Sequence, residues 1–63
     1  MQDFQQRVVD EKNDLDGKIE RLDLFIPGEM FASLPTDERI RLRLQRVYMK
    51  QYSEVLGERI AAF

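Results

Sequence analysis

The chain has no cysteine and no histidine. These absences exclude disulfide staples, zinc fingers, thiolate nucleophiles, Ser-His-Asp triads and the imidazole ligands on which most transition-metal sites depend. Ser33 and Ser53 have no base to activate them, so an enzyme, a metal centre and a bound cofactor are not expected. No run approaches the ~20 consecutive apolar residues of a membrane span. Met1-Gln2-Asp3-Phe4-Gln5-Gln6 lacks the basic and apolar regions of a signal peptide, so a soluble cytoplasmic protein is the expectation. Positive charge is not in excess either. The formal net charge is −2, so the whole molecule does not present the basic field of a general DNA- or RNA-binding domain, and any anion it binds must be met by a local patch.

What is present is 63 residues that are 43% hydrophobic and 35% charged, which fits one small folded domain spanning residues 1–63. A domain of that size buries only ~60% of its unfolded surface and usually leans on disulfides, metals or oligomerisation. With the first two supports missing, oligomerisation remains.

In the first half, Phe4, Val8, Leu15, Ile19, Leu22 and Ile26 follow one another at helical spacing, which predicts a helix from about residue 3 to 25. One turn of the apolar pattern is missing, its place taken by Glu11 and Lys12, and Gly17 inside the pattern permits close approach of another chain. Ile26-Pro27-Gly28 is a stop, because proline removes a donor, biases Ile26 away from the α region and is followed by a turn-forming glycine. Residues 26–35 form a connection whose Met30, Phe31 and Leu34 fold back over one end of the helices. Thr36 is the expected N-cap of a second helix from about 36 to 61, with Ser33 the alternative and Asp37 and Glu38 in the first turn. That helix has two apolar stripes. Leu44, Val47 or Tyr48, Gln51 and Val55 form one, and Leu42, Met49, Leu56 and Phe63 the other, with Tyr52 and Ile60 near it. A lone hairpin needs one apolar face per helix, so the surplus predicts burial against other copies. The expected fold is all-α, an antiparallel two-helix hairpin that assembles into a compact homo-oligomer.

Asp10, Asp14, Asp16, Glu20 and Asp23 stud the first helix and read as a solvated or salt-bridged face rather than a cation site. Arg39, Arg43, Arg46 and Lys50 place four cations on one stripe of the second helix. The stripe either grips phosphates or, as we favour, pairs with the acidic flank of the first helix. Phe4 lies at the amino end of a helix with Arg7 one turn on, so it either packs in the core or stacks a nucleobase whose phosphate the cation meets. Arg59, followed by Ile60, Ala61 and Ala62, is either a frayed helix end near an oligomer axis or a place where a ligand reaches backbone donors.

Two stretches taken together carry a family likeness. Arg7-Val8-Val9-Asp10-Glu11-Lys12, followed by Leu15, Lys18-Ile19 and Leu22, resembles the first helix of a small phage-encoded hairpin domain, and Arg43-x-Gln45-x-x-x-Met49-x-x-Tyr52-x-x-Val55-Leu56-Gly57-Glu58-Arg59-Ile60 resembles its second. The family is the phage anti-CBASS cyclic-oligonucleotide sponge, whose hairpin domain is shared with an anti-Thoeris sponge. The resemblance implies a homohexamer acting in the cytoplasm of the infected bacterial host, which sequesters cyclic dinucleotides and cyclic trinucleotides without cleaving them. It also implies site residues. The family's dinucleotide pocket uses an aromatic near the start of the first helix, to which Phe4 is nearest, and a lysine about four turns later, which Lys18 matches. The family aromatic is commonly tyrosine, so Phe4 keeps the stacking face and loses the hydroxyl. The family's trinucleotide site uses an arginine that Arg59 matches, with Ala61 and Ala62 as its small neighbours. A reading from a different class is an oligomeric helical scaffold that binds a protein partner through its charged stripes.

Overall fold

The computed structural model describes residues 2–63; Met1 lies outside the described residues. The element order is α1 (Asp3–Phe25), α2 (Glu29–Ala32) and α3 (Thr36–Ala61), with no strand among the described residues. The α1 ladder opens where the Gln6 N–H donates to the Gln2 carbonyl at 3.1 Å, while the Gln2 N–H donates to Gln5 Oε1 at 2.8 Å and so finds an acceptor within the first turn. The ladder closes with Ile26 N–H on Leu22 O at 3.0 Å. Pro27 has no donor with which to extend it. Gly28 sits at φ −85°, ψ 168°, a conformation open to any residue. Its requirement is space, since a Cβ there would come within 3.2 Å of the Phe25 carbonyl oxygen.

The connection contains a single helical turn, α2, closed by the Ser33 N–H on Glu29 O at 3.1 Å and by the Ser33 hydroxyl on Met30 O at 2.7 Å. That bond commits Ser33 to ending α2. Thr36 does not cap α3: Pro35 holds the N-cap position, and Thr36 Oγ1 instead accepts a hydrogen bond from Arg39 Nη2 at 3.1 Å. Proline suits a helix start because its fixed φ is already near helical and its missing N–H would have had no partner there. Asp37 and Glu38 in the first turn and Arg59 in the last complement the α3 dipole.

α1 and α3 run antiparallel, with Phe4 against Phe63, Lys12 against Ser53 and Asp23 against Arg46. The core is one seam of Val8, Leu15 and Ile19 from α1 and the fully buried Leu56 from α3, with Met49 and Ile60 packed against it. At the loop end Phe31 is buried and meets Phe25 edge-on, ring centroids 6.0 Å apart. Met30, expected to fold back with it, is 72% exposed. Of the two α3 stripes, Met49 and Leu56 pack toward α1 and Leu42 is half-buried, whereas Leu44, Val47, Tyr48 and Val55 are exposed; Tyr52 and Phe63, grouped by spacing with the inward stripe, are 45% and 44% exposed because that stripe leaves the seam at its edges. The result is a rod of 45 × 14 × 13 Å with a radius of gyration of 14.5 Å, against ~11 Å for a compact chain of this length.

The missing turn of the α1 apolar pattern is filled by a polar cluster. Lys12 turns inward and its Nζ donates to Ser53 Oγ at 2.8 Å and to Asp16 Oδ2 at 3.0 Å, while the buried Ser53 hydroxyl donates to Asp16 Oδ1. The Lys12 stem passes over Gly57, where a Cβ would lie 3.5 Å from Lys12 Cε, at ordinary van der Waals contact. Sliding α1 along α3 by one turn would keep the Lys12–Asp16 pair but take both groups away from Ser53 and leave that buried hydroxyl without its partners, so the cluster favours this axial register. The Ser53 hydroxyl, and after it Lys12, hold the Asp16 carboxyl below its ordinary value of 3.8. A depressed carboxyl contributes stability above its unfolded value and loses that contribution as pH falls through the folded one. The stability gap between the wild type and Ser53→Ala should therefore narrow as pH falls from about 5 to about 2, read as converging urea midpoints. A gap that stays constant over that range would refute the coupling.

Candidate functional site

Antiparallel helices of nearly equal length bring the start of α1 and the end of α3 together. Phe4 and Phe63 meet edge-to-face, ring centroids 5.9 Å apart at 78°. Phe4 is nonetheless 55% exposed, so part of its ring is open to a ligand. Arg7, one turn along α1, and Arg59, in the last turn of α3, are exposed at the same end, and neither has a carboxylate within ion-pair distance among the described residues. Ala61 is the last residue of α3 and Ala62 its C-cap, both exposed. The open end thus gathers Phe4, Arg7, Arg59, Ala61 and Ala62. A partly open planar ring at the same end of the hairpin as uncompensated guanidinium groups suits a nucleobase and its phosphate, because stacking tolerates any base and a guanidinium forms charge-assisted hydrogen bonds to phosphate oxygens.

Lys18 is not part of this group. It lies on the same face of α1 as Phe4 but fourteen residues further on, ~21 Å along the helix axis. Its exposed Nζ sits 3.4 Å from Asp14 Oδ2. Within one chain Phe4 and Lys18 cannot touch the same small ligand; a site using both needs a second copy.

The cationic stripe of α3 splits in two. Arg46 Nε lies 2.5 Å from Asp23 Oδ1, an ion contact without hydrogen-bond alignment, and Lys50 Nζ lies 3.6 Å from Asp23 Oδ2, so these two do pair with the acidic flank of α1. Arg39 and Arg43 do not. The Arg43 guanidinium is stacked over the Phe31 ring, 5.0 Å from its centroid. Spacing along α3 missed this stacking because Phe31 arrives from the connection; its place in an apolar segment facing the helix ends was the available signal. On the outer side of α3, Arg41, Leu44, Gln45, Tyr48, Met49 and Tyr52 line an open apolar groove. None of the described helices is long and apolar enough to cross a membrane.

No curated protein and no solved structure matches the chain. A family model does: the model described as Sequestin matches residues 2–62, nearly the whole hairpin, from the residue before α1 through the α3 C-cap. On that match, the chain belongs to the Sequestin family.

Proposed function

We propose that this protein is a phage immune-evasion sponge that binds cyclic di- or trinucleotide second messengers of bacterial anti-phage defence and sequesters them without cleavage in the cytoplasm of the infected host. The observation that carries the reading is the open end. There the antiparallel hairpin places an exposed aromatic ring, two cations without carboxylate partners among the described residues and small residues of a helix terminus at one end of the molecule. Membership of a family named for sequestration supports it. Holding a ligand requires neither the imidazole nor the thiol that the chain lacks.

The ~21 Å between Phe4 and Lys18 makes the site a property of an assembly, in which one copy supplies the ring and a neighbour the lysine. The exposed stripe on α3 is the surface for that assembly, a homo-oligomer and by resemblance a hexamer. In such an oligomer a net charge of −2 per chain is no obstacle, since only a few inward cations face each ligand.

The test is calorimetry of the purified protein with 3′,3′-cyclic GMP-AMP and with a cyclic triadenylate, followed by chromatography of the recovered ligand. Binding with intact ligand returned is the expected result. Lys18→Ala should weaken dinucleotide binding and spare trinucleotide binding, and Arg59→Ala the reverse. Each lost charge-assisted hydrogen bond is worth about 1.5–3 kcal/mol, or roughly 10- to 150-fold in affinity. Equal loss of both ligands from either change, with the oligomer intact, would refute the two-site assignment. Silence with both ligands would favour the second reading, a scaffold whose apolar α3 face meets a protein partner.

A further inference from the structure

At the loop end of the hairpin, the farthest point from Phe4 and Arg59, the ion pairs of the chain leave an imbalance. Asp23 is the carboxylate that serves both Arg46 and Lys50, while Arg41 pairs with Glu38 at 3.0 Å. Arg39 and Arg43, one turn apart on the same stripe, have no carboxylate within ion-pair distance among the described residues. Arg39 Nε is buried and has no hydrogen-bond partner, although the residue's Nη2 is anchored on Thr36 Oγ1. A desolvated guanidinium donor without an acceptor is unfavourable, and native structures normally supply one. Arg43 is fixed in another way. Its flat face lies on Phe31, itself buried and held edge-on by Phe25, and stacking of that kind leaves the in-plane N–H edges of a guanidinium free. Thr36 accepts through its oxygen and keeps its own hydroxyl proton to donate.

We propose that Arg39 and Arg43, with the Thr36 hydroxyl, form a binding site for a phosphate or diphosphate group. Two arginines one helical turn apart, ~6 Å along the axis, can each offer a guanidinium to separate oxygens of a diphosphate, which one exposed cation could not hold. The site lies twenty residues, ~30 Å, along α3 from Arg59, so it is separate from the open end and does not rest on the function proposed above.

The test is titration of inorganic diphosphate into isotopically labelled protein, following the arginine side-chain Nε–Hε resonances. Saturable shifts of Arg39 and Arg43 are expected, at lower diphosphate concentration than any shift of Arg7 or Arg59. Arg39→Gln should weaken binding by about tenfold or more, whereas Arg59→Ala should leave it unchanged. Because Arg39 is half-buried, Arg39→Lys serves as a second variant that keeps the charge and loses the fork; it should also bind more weakly. Adenosine diphosphate run alongside separates the sources of the group, equal affinity marking a free anion and tighter binding a nucleotide. Shifts that do not saturate, shifts confined to Arg7 and Arg59, or an Arg39→Gln affinity equal to that of the wild type would overturn the proposal.

Discussion

Leu56→Ala should leave the chain largely unfolded at physiological temperature. Among the described residues Leu56 is the one side chain with no exposed surface, and it stands opposite Val8, Leu15 and Ile19 where the two helices meet. Truncating a buried leucine costs about 2–5 kcal/mol through lost transfer energy and the cavity left behind. A chain of this length has about 3–9 kcal/mol in total. A rod with a single seam has little second-layer packing that could relax into the gap. Leu24→Ala is the matched control: this leucine near the end of α1 is 74% exposed, and the change should cost no more than about 0.5 kcal/mol. Urea unfolding followed by circular dichroism at one fixed protein concentration separates the two, since assembly makes stability depend on concentration. Equal midpoints for the two variants would mean that the helices do not meet at Leu56.

Charging the outer face of α3 with Leu44→Glu and Tyr48→Glu together should abolish self-association while leaving the helices formed. The chain exposes 4847 Å², against ~4250 Å² for a folded monomer of its mass. The excess of ~600 Å² approaches the ~800 Å² that each partner contributes to a stable interface. Leu44, Val47, Tyr48, Tyr52 and Val55 supply exposed apolar surface for such a contact. A carboxylate buried without a partner costs about 3–5 kcal/mol, so the pair should weaken association by at least ~100-fold. Sedimentation velocity should show an oligomer for the wild type and a single chain for the double variant, with matching helical content. A wild type that sediments as a single chain, or a variant that sediments with it, would remove the assembly inference.

Helical periodicity is a local property, and the parts of the fold that depend on it were legible. The apolar steps from Phe4 to Ile26 describe α1, and the Ile26-Pro27-Gly28 stop coincides with its end at Phe25. The two α3 stripes were separable by spacing, and one of them faces away from α1. What depends on axial register was not legible. That Asp23 meets Arg46 and Lys50 rather than Arg39 follows from how far one helix is slid along the other, which no single helix encodes. Lys12 read as an interruption of the apolar face because lysine usually points outward; its inward turn depends on Ser53 being opposite. The Thr36 cap was misplaced because Pro35 and Arg39 compete for the roles around it. At the candidate site, the meeting of Phe4 with Phe63, at the end that also carries Arg59, follows from hairpin topology, whereas the separation of Lys18 from Phe4 is set by rise per residue.

Five buried apolar side chains, Val8, Leu15, Ile19, Phe31 and Leu56, form the interior of the described chain. The fold therefore places demands on few positions, and most of the helix exterior is free to drift. The open end and the arginine pair at the loop end both lie outside that interior. Side chains at the open end could be exchanged without renegotiating the core, whereas Arg43 rests on the buried Phe31 and ties the other tip to it, so the architecture leaves one end of the rod freer to evolve than the other.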